Sequence, residues 1–172
     1  AEHDIRARAI LVTNSAELAD AVELEIEKQL QTLPRQAIAR PSIENNGRII
    51  IAQDVESMFE LMNLVAPEHL EIAIDKAYDY LERVQNAGSI FLGHYTSEPI
   101  GDYYAGANHV LPTTATSRFS SALGVHDFVK RIQYTQYSKA AVNAAEKGIT
   151  TLAYAEGLQA HAIAIEVRND KN

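Results

Sequence analysis

Short β-branched runs alternate along this chain with stretches in which apolar residues return every three or four positions. Ile10-Leu11-Val12 opens the pattern as a strand. Asn14 and Glu17 follow with capping-box spacing, in which side chains satisfy the first free N–H groups of a helix. Leu18, Val22, Ile26 and Leu30 then mark one buried helix face, which Pro34 terminates. Gly47 leads into Arg48-Ile49-Ile50-Ile51-Ala52, a run too short for a buried helix and read as a strand covered on both faces. Asp54 is placed to cap a helix through Val55, Met58, Phe59 and Met62 that reaches Pro67. The cycle repeats with a strand from Leu70 to Ile74, a helix near Lys76 to Gln85, and a strand from Ser89 to Leu92 behind Gly88.

Strands alternating with helices through short connections predict βαβ units and an α/β fold, a partial Rossmann-like parallel sheet with flanking helices. Ligands in such sheets collect beyond the carboxyl ends of the strands. From Gly93 to Pro112 the periodicity stops, and the turn-forming, polar segment around Tyr103-Tyr104 reads as an ordered functional loop. After Gly124 the chain turns Ala-rich. Asp127 to Gln133 and Ser138 to Arg168 read as helical, with a break near Gly148. The division is therefore an α/β part over 1–123 and a small helical domain over 124–172. Ile149, Leu152, Leu158, Ala162 and Ile165 would leave that domain poorly covered unless it packs on the rest of the chain or on a second copy.

Composition narrows the classes. A chain of 172 residues, 47% hydrophobic and 22% charged, fits one globular domain with a small appendage, and no apolar run approaches the ~20 residues of a membrane span. The absence of cysteine excludes disulfides, thiolate nucleophiles and Cys-type zinc fingers, so a metal would need His, Asp, Glu or amide ligands. A net charge of −8 with 15 scattered basic residues argues against a nucleic-acid partner. No secretory signal is recognisable at Ala1-Glu2-His3-Asp4, and a cytoplasmic home is the default expectation.

Candidate chemistry centres on Ala66-Pro67-Glu68-His69-Leu70-Glu71-Ile72, where a carboxylate and an imidazole meet at a helix-to-strand junction. Neighbours in extended backbone point to opposite sides, so Glu68 and His69 suit two separate proton transfers better than one dyad. Asp102 and His109 lie in the polar loop, and Glu156 and His161 lie on what reads as the last helix. Five positions on one helix subtend roughly 140°, so those two share a face only if the helix bends. A carboxylate with imidazoles from distant segments is compatible with zinc, although no local H-E-x-x-H motif occurs. Neither G-x-G-x-x-G nor G-x-x-x-x-G-K-[ST] is present, so no phosphate cradle is recognisable and no cofactor-binding residue is assigned.

Taken in order, AEHD, APEHLEI, AGSIFLG, GDYYAGANHVLPT and EGLQAHA resemble the C-terminal part of histidinol dehydrogenases. The resemblance implies oxidation of L-histidinol through an aldehyde to L-histidine by a zinc-containing, NAD-dependent homodimer. It implies Glu68 and His69 as the acid/base pair and His3, Asp102 and His161 as zinc ligands. Substrate contacts are implied at His3, His69, Glu98, Asp102, His109, Glu156 and His161, with Glu156 and His161 donated by the partner subunit. A fourth ligand, a glutamine, would stand immediately before Ala1, and the family's nucleotide-binding region would precede it. The resemblance therefore implies a C-terminal portion that binds NAD mainly through residues not in this sequence and is inactive by itself. Two readings from other classes stay open: a non-enzymatic dimerisation and substrate-recognition module, and a zinc hydrolase in which Glu68 activates water.

Overall fold

A computed structural model describes residues 1–169, and the last three positions of the helical domain expected over 124–172 lie outside the described residues. The first compact unit runs from Ala1 to Phe128 and the second begins at Val129, against a sequence-based division at 123/124.

In the first unit β1 (Ile10–Thr13) leads into α1 (Ala16–Leu30), α2 (Gln36–Asn46), β2 (Arg48–Ile51), α3 (Val55–Val65), β3 (His69–Ile72), β4 (Ser89–Leu92) and α4 (Glu98–Tyr103). The chain is α/β and every strand pairing is parallel, but the strands form two two-stranded ladders, β1 with β2 and β3 with β4, in place of one sheet. Ser15, not Asn14, caps α1: its side chain accepts from Leu18 N. The expected stripe on α1 is only partly covered, with Leu30 buried and Leu18 47% exposed. β2 also differs from the reading as a strand covered on both faces. Ile51 is 57% exposed, because a lone partner strand and its helices leave one side of so small a ladder open among the described residues.

Helix α2 gave no sequence signal, since Pro41 stands inside it and its apolar positions are few. Asp54 caps α3 as expected, accepting from Ser57 N at 2.8 Å. The core lies between α3 and the second ladder: Phe59, Met62, Ile72 and Ala77 are buried, with Leu70, Ile90 and Leu92 packed on them. Phe59 stacks on Tyr80 with centroids 5.7 Å apart. The segment expected as a helix near Lys76 to Gln85 is a 3₁₀ helix over Ala77–Arg83.

The second unit is a helical hairpin of α5 (Lys139–Ala155) and α6 (Gln159–Asn169). α5 runs straight through Gly148. The break comes at Gly157, whose φ of +74° is a left-handed conformation that glycine adopts without steric cost. The helical run expected over Asp127 to Gln133 is instead a short 3₁₀ turn, Val125–Phe128, followed by irregular chain up to Ser138. Ala153 and Ala162 are buried, small side chains that let the helices approach, while Leu152 and Val167 stay exposed. Among the described residues no helix is long and apolar enough to cross a membrane.

Candidate functional site

The period-two geometry of β3 and β4 sorts their residues between two faces. Leu70, Ile72, Ile90 and Leu92 turn towards the α3 core. His69, Glu71 and Phe91 occupy the other face, where the rings of His69 and Phe91 lie 6.1 Å apart. The approach to β3 is fixed by a sharp turn. Ala66, 1% exposed, caps α3 in the left-handed region at φ 51°, and its carbonyl accepts from Ser117 Oγ at 3.0 Å. Gly88 N donates to Pro67 O and Ser89 N to Glu68 O. A Cβ on Gly88 would stand 2.6 Å from that Glu68 carbonyl, so the ladder closes beside the 68–69 pair only because residue 88 has no side chain.

α4 covers the His69 face. The sequence placed a loop here. Ser97-Glu98-Pro99 carries a capping residue followed by an acid and a first-turn proline, which was the available signal, but six residues are too few to reveal a period. As a helix the segment sets Glu98 and Asp102 one turn apart on a single face. A Cβ on Gly101 would come within 2.7 Å of the Phe91 ring, so glycine allows the helix to lie flat against β4. At the start of α4, Glu98 N donates to Glu71 Oε1 at 2.8 Å.

This packing gathers His69, Glu98 and Asp102, each offering one ligand atom within 4.8 Å of the others. His69 Nε2 stands 3.9 Å from Glu98 Oε1. That oxygen is buried and has no hydrogen-bond partner. Burial above all, then the neighbouring Asp102 carboxylate, push the Glu98 carboxyl above the usual carboxylate range, while His69 and His3 pull the other way. An imidazole nitrogen and two carboxylates, one of them carrying that unsatisfied oxygen, are donors of the kind that fit a divalent cation of the zinc type.

Of the residues expected at the site, His69, Glu98 and Asp102 are brought together. His3 is exposed yet close enough for its charge to act on Glu98. The segment carrying His3 is tied down by α2 and the residue before it: Arg35 donates to Glu2 O at 2.8 Å, Ser42 to Ala7 O at 2.9 Å and Asn46 to Ile5 O at 2.9 Å. Glu68 lies next to the cluster in sequence but outside it, and makes no side-chain hydrogen bond or ion pair among the described residues. His109 is exposed in irregular chain. Glu156 and His161 belong to the second unit and do not share one helix: Glu156 closes α5, and His161 lies in the first turn of α6 beyond Gly157. The metal set expected from the resemblance, His3, Asp102 and His161, shares only Asp102 with the cluster. A groove of about 390 Å³ lined by Glu60, Asn63, Leu64, Gln85, Asn86 and Arg118 contains none of these residues.

The family model described as histidinol dehydrogenase matches residues 1–169. A histidinol dehydrogenase of Streptococcus mutans is 98% identical over 172 residues, which are all of this chain and 40% of that protein. One from Listeria monocytogenes is 55% identical over 168 residues, 98% of this chain and 39% of its own length. The crystal structure of histidinol dehydrogenase from Elizabethkingia anophelis superposes with a TM-score of 0.80 at 35% identity, covering 98% of this chain and 39% of that one. The chain thus spans about two fifths of the length of the relatives it matches.

Proposed function

The chain belongs to the histidinol dehydrogenase family, and on that premise we propose that it supplies the proton-transfer and metal-holding half of a two-step oxidation of L-histidinol, through the aldehyde, to L-histidine. The observation that carries this reading is the convergence of one imidazole and two carboxylates from β3 and α4, with one buried oxygen of Glu98 left unpaired.

Asp102 holds the metal, joined by His3 and, from a second copy of the chain, His161. When bound, zinc would fix the imidazole and amine of the substrate, and NAD would accept the hydrides. His69 takes the alcohol proton in the first step: an imidazole with an unperturbed pKa near ~6.5 accepts one close to neutrality. Glu98 faces the same space and orients the substrate against His69. Glu68, carried by the same backbone turn but outside the cluster, activates water on the aldehyde for the second step. His109 and Glu156 contact the substrate. The exposed Leu152, Leu158, Ile163 and Val167 of the helical hairpin support pairing of two copies, the arrangement that would deliver Glu156 and His161 in trans.

The chain by itself binds zinc and L-histidinol without sustained reduction of NAD, since its sequence holds no glycine-rich dinucleotide cradle. Calorimetric titration of L-histidinol into the chain tests the reading. Binding that requires Zn²⁺ and is lost in Asp102→Ala is expected; heat of binding that ignores both would overturn it.

A further inference from the structure

We propose that Glu71 is a positioning residue for this site, holding α4 so that Glu98 and Asp102 face His69. The inference rests on the metal-and-substrate reading above and adds a residue that this reading does not use.

Glu71 is an exposed acid on a strand, absent from the cluster and without an ion-pair partner among the described residues. Its side chain makes one hydrogen bond among the described residues, the 2.8 Å contact from Glu98 N to its Oε1. Helix α4 has six residues, too few to be stable from its own hydrogen bonds. Ser97 stands at its N-cap and is a residue type suited to capping, yet its side chain makes no cap bond. The free N–H at the helix start is satisfied by Glu71 instead, from across the strand, and the carboxylate charge also complements the positive end of the helix.

Glu71 lies two residues beyond His69, so one face of β3 presents both. His69 faces the Glu98 side chain at 3.9 Å, and Glu71 grips the Glu98 backbone. One strand face thereby presents an anchor for the Glu98 backbone and an imidazole opposite its carboxylate. The second anchor of α4 is Gly101 on the Phe91 ring, midway along the helix. Without Glu71 the first turn is free to fray, and Glu98 and Asp102 lose their fixed placement opposite His69.

The test titrates Co²⁺ into the 172-residue chain and follows its visible absorption, in parallel with hydrogen exchange of the Glu98 amide in the metal-free protein. Glu71→Ala should weaken Co²⁺ binding roughly 5-fold, the size of a lost helix cap, and speed Glu98 exchange by a similar factor. Glu71→Gln keeps an oxygen acceptor at the same reach and should stay within about 2-fold on both measures. Circular dichroism confirms that each variant is folded. If Glu71→Ala binds Co²⁺ as tightly as the unmodified chain, the inference fails; if Gln is as damaging as Ala, charge rather than placement is responsible and it fails again. Asp102→Ala separates the two levels. Undiminished Co²⁺ binding in that variant overturns the metal reading itself, whereas loss there with none in Glu71→Ala overturns only the role of Glu71.

Discussion

The ring of Phe91 lies so close to Gly101 that a Cβ added at 101 would stand 2.7 Å from Phe91 Cε1. Phe91 is buried and fixed within β4, so the helix would have to move. Gly101→Ala should therefore lower stability by about 1–3 kcal/mol, the cost of overpacking, despite alanine's better helix propensity. The same shift should weaken Zn²⁺ binding, because α4 carries Glu98 and Asp102. Urea unfolding and a competitive zinc titration report the two effects separately; an Ala variant as stable as the parent would show that α4 is not seated on Phe91.

Ser42 is fully buried and donates to Ala7 O at 2.9 Å from inside α2. Ser42→Ala leaves that carbonyl without its partner and should cost about 1–2 kcal/mol. The loss should be local as well as global, since α2 holds the segment on which His3 sits. Amide exchange of Arg6 to Arg8 should quicken more than exchange in β4, and a uniform change along the chain would contradict the tethering role.

If Glu68 and His69 act as proposed, their variants should separate the two oxidation steps. In a longer histidinol dehydrogenase polypeptide containing this sequence, His69→Ala should slow oxidation of L-histidinol by ~10²–10⁴-fold. Glu68→Gln should instead retard conversion of the supplied aldehyde more than consumption of the alcohol. Stopped-flow measurement of NADH formation from each substrate distinguishes the steps; equal slowing of both by each variant would reject the division of labour.

Asp54 predicts a specific pH response. The backbone and side-chain hydrogen bonds from Ser57 hold its carboxyl below the ordinary value of 3.8. A carboxyl depressed in the folded state contributes stability that is present above its unfolded pKa and lost as pH falls through the folded one. The stability gap between the parent and Asp54→Ala should be constant from pH 7 to about 5 and should close as the pH drops below about 4. Denaturation midpoints across that range measure it, and a gap that persists at pH 2 would show that the cap does not depend on charge.

Local pattern was enough for some of this. Strands at Ile10–Thr13, Arg48–Ile51 and Ser89–Leu92 follow from short apolar runs, β-branched at Ile49-Ile50-Ile51, and α3 follows from a capping acid and spaced apolar residues. Helix α2 was invisible because an internal proline masks it, and α4 because six residues cannot display a period. The turn at Gly157 separated Glu156 from His161, a break that a smooth Ala-rich run placed at Gly148. The pairing of strands into two small ladders also lay beyond reach, since parallel partners are chosen by packing between distant segments.

By itself the sequence determined the residue types available for chemistry, the α/β alternation and, through five ordered motifs, the family. Only the tertiary structure decided that His69 meets Glu98 and Asp102 while neighbouring Glu68 stays apart, because the alternation of a strand divides adjacent side chains and the packing of a short helix unites remote ones.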